Sequence, residues 1–254
     1  TVIKFVDIAG LVKGASEGQG LGNKFLSHIR EVDAIVQVVR AFNDDNVIHV
    51  NNRIDPQEDA EVINMELALA DLQTVGKRLE NGKKNAKGAA IKDWQKQISL
   101  LERVNNHLQA GFPARDLDYD EEETEIMREL CLLTMKPMMY VINVDEVSSI
   151  KYQVSRDSDA AKEIYVCARL EAELADLSEE EAREYLRSAG IEQTGLDKLI
   201  VESYKLLGLV TYFTSGEPET RAWTVVKGAK APQAAGVIHT DFVKGFIKAD
   251  VVDW

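Results

Sequence analysis

The feature that most constrains the fold is a strand-like run followed by a glycine-rich loop in residues 2–22, VIKFVDIAGLVKGASEGQGLG. β-Branched and aromatic residues lead up to Asp7, where the run ends. Five glycines lie in the loop that follows: Gly10, Gly14, Gly18, Gly20 and Gly22. This order predicts a buried strand that carries a carboxylate to the carboxyl edge of a sheet, and then a backbone free enough to wrap around a ligand. In open α/β sheets, ligands bind at that edge.

Residues 7–10, DIAG, have the DxxG form of the phosphate-sensing switch in P-loop nucleotide hydrolases. In that motif the aspartate reaches Mg²⁺, usually through water, and the glycine amide bonds the γ-phosphate, where a side chain would hold the backbone away. The longer string DIAGLVKGA resembles the Obg-type G domain, and specifically the YchF subfamily of Obg-like ATPases. The resemblance assigns Asp7 to the metal and Gly10 to the γ-phosphate.

The resemblance covers the whole chain and implies an α/β fold: a P-loop NTPase G domain with a mostly parallel sheet, an antiparallel coiled-coil insertion and a β-grasp TGS domain. It places the first part of the G domain at residues 1–57, the insertion at 58–110, the second part of the G domain at 111–208 and the TGS domain at 209–254. The chain departs from the family at its ends, because it contains no GxxxxGK[ST] motif. We therefore expect the P-loop and switch I segment to precede Thr1 and the TGS domain to continue beyond Trp254, in a longer protein.

Composition limits the class of protein. Charged residues make up 29% of the chain and hydrophobic residues 45%, which is ordinary for a globular protein. The sequence has no signal peptide and no run of eighteen apolar residues, so we expect no membrane partner and a cytoplasmic location. Cys131 and Cys167, two cysteines far apart in the chain, predict reduced thiols. The net charge of −13 argues against a protein that coats nucleic acid uniformly.

Strand and helix alternate after the glycine loop. Residues 23–31 predict a short helix, and residues 34–39, AIVQVV, predict the next buried strand of a parallel sheet. Leu11 stands where relatives of Ras carry the glutamine that orients the attacking water, and a leucine cannot polarise water. The resemblance implies that His49, in a nearby loop, supplies this catalytic group. The alternative is a loop histidine with a backbone partner.

Residues 58–110 break this alternation and predict an antiparallel coiled-coil hairpin with a glycine-bearing tip at 82–88. Apolar residues recur with helical periodicity on both sides of the tip. They are Met65, Leu69, Leu72, Val75 and Leu79 before it, and Ile91, Trp94, Ile98, Leu101 and Leu108 after it.

The distal end of the predicted hairpin is basic. Residues 77–96 hold seven positive residues against two acids: Lys77, Arg78, Lys83, Lys84, Lys87, Lys92 and Lys96 against Glu80 and Asp93. Such a charge run is commonly a solvated face. We favour a contact to ribosomal RNA, because a rigid arm that presents positive charge away from an acidic body suits a phosphate backbone. The ribosome association of the family carries much of this interpretation.

The next buried strand is predicted at residues 138–143, MMYVIN, and residues 143–146, NVDE, stand where a GTPase has NKxD. There the aspartate accepts hydrogen bonds from guanine N1 and the 2-amino group, while the lysine stem covers the base. Val144 replaces that lysine and Glu146 that aspartate, a form that resembles the NxxE motif of the ATP-preferring YchF subfamily. We expect Asn143 to bond the base edge and Val144 to pack against the ring. The alternative is an ordinary turn after a strand.

A second loop supports a base site. Residues 164–166 predict a short strand that ends at Cys167, Ala168 and Arg169, the place of the SAK-type loop whose backbone braces the base in this superfamily. Arg169 stands where lysine is usual, and the alternative for it is a surface residue.

Helices are predicted around these loops. The acidic segment 116–129 opens a helix through Thr134. Ser178 begins another with the capping pattern SEEE. Residues 194–207 predict an amphipathic helix with one apolar face: Leu196, Leu199, Ile200, Tyr204 and Leu207.

From residue 209 the pattern changes to short β-rich runs, TYFT, RAWTVV and GFIKADVV, separated by Gly and Pro. This stretch resembles the TGS domain of the same family. Five acids balance five bases in it, so it has no electrostatic footprint of its own. His239 is predicted to be a turn or capping residue rather than a catalyst.

The predicted function is a Mg²⁺-dependent ATPase that acts as a conformational switch in translation or stress regulation. The basic coiled coil and the TGS domain are its predicted contacts to the ribosome and ribosomal RNA. One alternative is use of GTP by the altered base loop. Another is a nucleotide-gated RNA-binding module with little turnover, which Leu11 keeps open. The sequence leaves the role of K⁺ undecided, and it demands no dimer, so a monomer is expected.

Overall fold

A computed structural model describes residues 3–8, 21–47, 53–86, 91–145, 163–217 and 219–253 of the 254-residue chain. The chain forms two compact units, one of Asp7–Leu196 and one of Asp197–Trp254 together with Thr1–Val6. Among the described helices, none is both long and apolar enough to cross a membrane. Both cysteines are free thiols, as predicted.

The larger unit is built on a parallel sheet of three strands in the order β1 (Ile35–Arg40), β2 (Met138–Asn143) and β3 (Glu163–Val166). The sequence predicts all three strands, with bounds that differ from the observed ones by at most one residue. In the observed register Arg40 lies opposite Asn143, and Asn143 lies opposite Val166. The three carboxyl ends therefore form one edge.

The predicted buried strand at residues 2–7 is wrong for the part that the structure describes. Residues 3–8 have no regular secondary structure, and Phe5 and Val6 are 52% and 49% exposed. Ile8 alone in this segment packs against a core cluster. A strand is stabilised by hydrogen bonds to a neighbouring strand, and none of the described strands pairs with this run.

The predicted helical hairpin is present, as α2 (Pro56–Asn85) and α3 (Ile91–Gln109). Asp55 begins α2, because its carboxylate accepts a hydrogen bond from Glu58 N at 3.0 Å and Pro56 takes the first helical position. The two helices pack antiparallel along a buried seam. Its members from α2 are Ala68 and Val75, and those from α3 are Leu100, Leu101, Val104 and Leu108.

Two of the predicted seam residues face solvent instead: Met65 is 64% exposed and Leu69 is 40% exposed. The reason is that the first half of α2 is covered on two sides. Leu67 and Ala70 pack against the sheet-side cluster, while Ala68 faces α3. The sheet side is also fixed by a hydrogen bond of 2.9 Å from Asn64 Nδ2 to Tyr140 OH. The buried arc is therefore rotated away from the heptad positions.

A buried carboxylate joins α2 to the turn before β2. Asp71 is fully buried and accepts hydrogen bonds from Leu133 N (2.9 Å), Thr134 N (2.7 Å) and Thr134 Oγ1 (2.7 Å). Thr134 Oγ1 in turn accepts a hydrogen bond from Ala114 N at 3.1 Å. Every donor in this network is paired, so the network can stabilise the fold despite its burial.

The same network ends the acidic helix earlier than predicted. Helix α4 (Glu121–Leu130) opens with a capping box of Asp120 and Glu123, and Cys131 then takes a left-handed conformation with φ of 47°. A 3₁₀ turn, Leu133–Met135, replaces the predicted last turn of the helix. The amides of this turn are held by Asp71 and so cannot continue α4.

Four further helices complete the larger unit or lead out of it. Helix α1 (Leu21–Glu31) ends where Lys136 Nζ donates hydrogen bonds to Arg30 O and Val32 O, a favourable place for a cation. Helices α5 (Ala168–Ala175), α6 (Glu179–Ser188) and α7 (Gly195–Leu206) follow β3. The capping box predicted at Ser178 is present.

Helix α7 starts against β3 and departs from its predicted face. A Cβ on Gly195 would lie 3.0 Å from Tyr165 O and Val166 Cα, which is closer than most Cβ contacts, so the close approach favours glycine. Leu196 and Ile200, predicted to face the core, are exposed, and Ser203 is buried instead. Ser203 is tolerated there because its hydroxyl donates to Leu199 O at 2.7 Å.

In the smaller unit, β4 (Leu209–Ser215) and β5 (Thr220–Val226) form an antiparallel pair, followed by α8 (Ala231–Ile238) and α9 (Asp241–Gly245). His239 ends α8, and its Nδ1 accepts a hydrogen bond from Asp241 N at 3.3 Å, as its predicted capping role requires. The third predicted β run, residues 245–252, forms no strand. Its apolar residues Ile247 and Val252 are 91% and 90% exposed, since no described strand pairs with it.

Replacing Asp71 tests the buried network. Asp71→Asn places an amide N–H against the donors of Thr134, so we expect a loss of about 2–4 kcal/mol in the free energy of unfolding. The matched control is Thr134→Ser, which keeps the hydroxyl. Urea denaturation of the full-length protein measures both, and an Asn variant as stable as the native protein would contradict the assignment.

The Asp71 contribution should also depend on pH. Burial raises the pKa of the Asp71 carboxyl, and the hydrogen bonds from Thr134 and Leu133 oppose this rise without cancelling it. The folded chain therefore holds the proton more tightly than the unfolded chain, and stability is lost as the pH rises from the ordinary carboxyl pKa through the raised one. Asparagine does not titrate, so the stability advantage of the native protein over Asp71→Asn should shrink across that window. An advantage that grows with pH would show the opposite shift.

Candidate functional site

The carboxyl edge of the sheet brings three chain segments together. Ala41 N, just after β1, donates a hydrogen bond to Asn143 O at 2.7 Å, and Val144 N, just after β2, donates to Val166 O at 2.9 Å. These bonds extend the parallel pairing past the strand ends. The loops after all three strands therefore begin at one place, which is where ligands bind in sheets of this kind.

Asn143 bridges two of these segments through its side chain. Its Oδ1 accepts a hydrogen bond from Ala168 N at 3.1 Å, at the beginning of α5. With the oxygen used in this way, the side-chain amide nitrogen is the group left to donate to a ligand. An N–H donor is complementary to a purine ring nitrogen such as N7. This geometry is compatible with the predicted contact to a base edge.

Val144 is buried in this structure. Only 3% of its surface is exposed, and it is one of the residues that line a cleft beside the start of α2. A residue buried in this way presents little surface to a base ring. The packing of Val144 against the base therefore stays a prediction.

The turn after β3 is ordered by Cys167. Its thiol is buried and, as the N-cap of α5, Sγ accepts a hydrogen bond from Leu170 N at 3.5 Å. Ala168 is exposed, as a loop that braces a ligand through its backbone requires. Arg169 has 88% of its side-chain surface exposed and pairs with Glu173 at 2.9 Å, which fits the alternative of a surface residue.

Sequence analysis missed one residue at this edge. Arg40, the last residue of β1, donates hydrogen bonds to carbonyl oxygens of the loop that follows it. The available signal is an arginine that ends the mostly apolar run AIVQVVR, three positions before the polar run NDDN begins. A cation at the end of a buried strand needs acceptors, and a loop with free carbonyls supplies them.

Three of the predicted site residues, Gly10, His49 and Glu146, lie outside the described residues. Asp7 lies within them, and its carboxylate is exposed. Mg²⁺ prefers oxygen ligands and keeps several waters, so one carboxylate with nucleotide phosphates is a suitable donor set, and Asp7 fits it. Among the described residues, no three His, Cys, Asp or Glu side chains gather to hold a metal ion by themselves.

A cleft of about 510 Å³ lies on the sheet face beside the start of α2. Its walls include Val39, Tyr140 and Tyr165 from the strands, and Asp55, Glu61 and Asn64 from the α2 side. Residues 146–162, which link two of its strands, lie outside the described residues. The cleft therefore carries no ligand assignment.

Two protein families match parts of the chain. The family described as 50S ribosome-binding GTPase matches residues 1–73, and the YchF-GTPase_C family, described as a protein of unknown function, matches residues 209–254. The second match begins at the first residue of β4.

Curated relatives match over nearly the whole chain. It is 49% identical to a Bacillus subtilis protein named "Ribosome-binding ATPase YchF", over 99% of this chain and 71% of that protein. It is 48% identical to the protein of the same name from Escherichia coli O157:H7, over 100% of this chain and 71% of that protein.

A solved structure shares the fold. The YchF GTPase of Schizosaccharomyces pombe superposes with a TM-score of 0.78 at 42% identity, covering 94% of this chain and 67% of that one. The α/β architecture is thus that of a P-loop GTPase, as predicted, with the described parallel sheet as part of it. Since relatives more than 30% identical match it across more than two thirds of their own length, the chain belongs to the YchF family.

Proposed function

We propose that the protein is a ribosome-associated ATPase in which Mg²⁺ and ATP set a conformational switch. The names of its relatives support nucleotide hydrolysis and ribosome binding. The observation that carries the nucleotide site is the Asn143 bridge, because it leaves an N–H donor for a purine ring at the carboxyl edge. The choice of adenine rests on Val144 and Glu146, which replace the guanine-reading lysine and aspartate. A cytoplasmic location and the absence of a membrane partner accompany ribosome binding.

The roles of the residues follow from their chemistry. Asp7 would hold the Mg²⁺, which would supply positive charge to neutralise the phosphates. The Gly10 amide bonds the γ-phosphate, and His49 orients the water that Leu11 cannot polarise. Asn143 donates to the base, and the backbone at Cys167 and Ala168 braces it. Hydrolysis removes the γ-phosphate and so releases the loop at Gly10.

Base selectivity depends on which hydrogen-bond pattern the loop offers. Guanine presents donors at N1 and its 2-amino group, which a correctly placed aspartate accepts, whereas adenine N1 is an acceptor. Glu146 is one methylene longer than that aspartate, and Val144 is apolar and buried. These features favour adenine. Use of GTP is the alternative. The proposal also includes K⁺ as an assisting cation and a monomeric protein.

Restoring the GTPase pattern should reverse the nucleotide preference. We expect the native full-length protein to bind ATP in preference to GTP, and a Val144→Lys/Glu146→Asp variant to favour GTP by about 10-fold or more through a regained charged hydrogen bond. Titration of both nucleotides with Mg²⁺ measures the dissociation constants.

Glu146→Asp alone is the control, because it does not place a lysine at a buried position. A native preference for GTP would contradict the adenine argument. If circular dichroism shows that the double variant is unfolded, the nucleotide preference is compared between the native protein and Glu146→Asp alone. An unchanged ATP preference in Glu146→Asp would assign the selectivity to other residues.

The hairpin formed by α2 and α3 is the proposed ribosome contact, and its charges are partly neutralised. Lys83 pairs with Glu102 at 2.8 Å, Lys96 with Glu122 at 2.9 Å, and Arg78 with Glu129 at 3.5 Å. Two of these acids come from α4, which packs beside α3. Counting positive residues in the sequence therefore overstates the net positive charge that the hairpin can present to RNA.

Lys77 and Lys84 are the other two positively charged residues of α2. Both are exposed, and no ion pair joins either of them to another residue that the structure describes. An unpaired lysine can release a counterion from a phosphate without first breaking an ion pair. These two residues are thus the better candidates for contacts to ribosomal RNA.

Replacing the two groups of lysines separates these roles. We expect Lys77→Ala and Lys84→Ala each to lower the salt-dependence slope of ribosome binding by about 1, because each removes one phosphate contact. Lys83→Ala and Lys96→Ala are matched controls of equal charge change, with a smaller effect. Equal slopes for all four variants would contradict the assignment.

The alternative of an RNA-binding module with little turnover makes a different prediction. It requires RNA binding to be unaffected by His49→Ala and strongly weakened when the coiled-coil lysines are replaced. The switch requires the ribosome affinities with ADP and with a non-hydrolysable ATP analogue to differ. Leu11 keeps this alternative open, because the usual water-orienting group is absent from that position.

A further inference from the structure

Arg40 organises the loop that leaves the candidate nucleotide edge. The guanidinium of this half-buried residue donates three hydrogen bonds to backbone carbonyls: Nε to Phe42 O at 3.0 Å, Nη2 to Asp44 O at 2.9 Å, and Nη1 to Val47 O at 2.7 Å. All three nitrogens are thus engaged by one loop of seven residues, 41–47. The guanidinium also lies 4.7 Å from the centre of the Phe42 ring, so one face of the group is covered as well.

The loop has its own turn inside this frame. The Asp44 carboxylate accepts hydrogen bonds from Asn46 N at 2.9 Å and Asn46 Nδ2 at 3.1 Å, and Val47 N donates to Asp44 O at 3.2 Å. These bonds shape residues 44–47 locally, but they contain no contact to the sheet. Arg40 supplies that contact, because it is a residue of β1 and reaches both ends of the turn.

The position of the loop relates it to the candidate site. Ala41, its first residue, donates to Asn143 O at 2.7 Å, so the loop starts beside the proposed base contact. Val47, its last described residue, stands two positions before His49 in the sequence. The backbone between these points is held at three carbonyls by a single side chain.

We propose that Arg40 is a positioning residue for ATP hydrolysis, because it fixes the loop 41–47, and His49 follows two residues after this loop in the sequence. The proposal rests on the proposed function for its link to hydrolysis. The partners of Arg40 are neutral carbonyls, so the role depends on the number and direction of its donors rather than on its charge. Lysine has the charge, but its single nitrogen cannot reproduce a planar fork that serves three acceptors.

The test uses the full-length protein with Arg40→Ala and Arg40→Lys. We expect both variants to lower kcat for ATP by about 10- to 100-fold, because a small misplacement of a catalytic group has effects of that size. The KM for ATP should change little, since the Asn143 side chain and its bond to Ala168 are retained. Hydrogen–deuterium exchange of the amides at 42–47 should become faster.

Arg183→Ala is the matched control. It removes an arginine whose side chain is 74% exposed and forms an ion pair with the Glu179 side chain at 3.1 Å. Its kcat and loop exchange should equal those of the native protein. Thermal unfolding of all variants identifies any general loss of structure, and an Arg40→Lys variant with native kcat and native loop exchange would overturn the proposal.

A double-mutant cycle with His49→Ala distinguishes positioning from a general structural effect. If Arg40 acts through His49, Arg40→Ala lowers kcat in the native background and has no further effect in the His49→Ala background. An equal fold-loss in both backgrounds overturns the proposal.

Failure of the proposed function gives a different result. If His49→Ala hydrolyses ATP at the native rate, the catalytic role of His49 in the proposed function is wrong, and the link from Arg40 to hydrolysis is overturned with it. The exchange measurement is separate: faster exchange in Arg40→Ala supports Arg40 as the residue that orders the loop, and native exchange overturns this as well.

Discussion

The parallel pairing of β1, β2 and β3 is the constraint on which the candidate site depends. Backbone hydrogen bonds place Arg40, Asn143 and Val166 side by side, although Arg40 lies more than a hundred residues before the other two in the chain. Because parallel strands require crossovers, every connecting loop starts again at the same edge. The Asn143 bridge to Ala168 and the Arg40 frame of the following loop both exist only because that register brings their backbones together.

Helix α2 serves two structures at once. One side of it forms the wall against the sheet, through Leu67 and Asn64, and the other side forms the seam with α3. The buried Asp71 carboxylate then connects α2 to the turn directly before β2, the strand that ends at Asn143. A continuous set of packed elements and hydrogen bonds therefore runs from the proposed ribosome contact to the proposed base contact. Such continuity is a physical route for coupling, while the coupling itself needs a measured two-state change.

Much of the larger unit follows from local sequence patterns. Apolar runs such as AIVQVV and MMYVIN identify β1 and β2 because they are short and β-branched or apolar, and SEEE identifies the start of α6 through its capping chemistry. At the site, Asn143 and the turn at Cys167 were predicted from the resemblance to the base-binding loops of the family, and a hydrogen bond joins them in the structure. The roles of Gly10, His49 and Glu146 remain predictions, because those residues lie outside the described part of the chain.

Local sequence determined where β1, β2 and α6 begin, since apolar runs and capping residues act within a few residues. Tertiary structure decided which face of each element is buried. Met65 and Leu69 occupy heptad positions and yet face solvent, because α2 is covered from two directions, and the strand predicted before Asp7 lacks a described neighbour to pair with. It also decided the charge of the hairpin, where acids from α4 neutralise Arg78 and Lys96. Burial and ion pairing depend on distant partners, which local patterns do not specify.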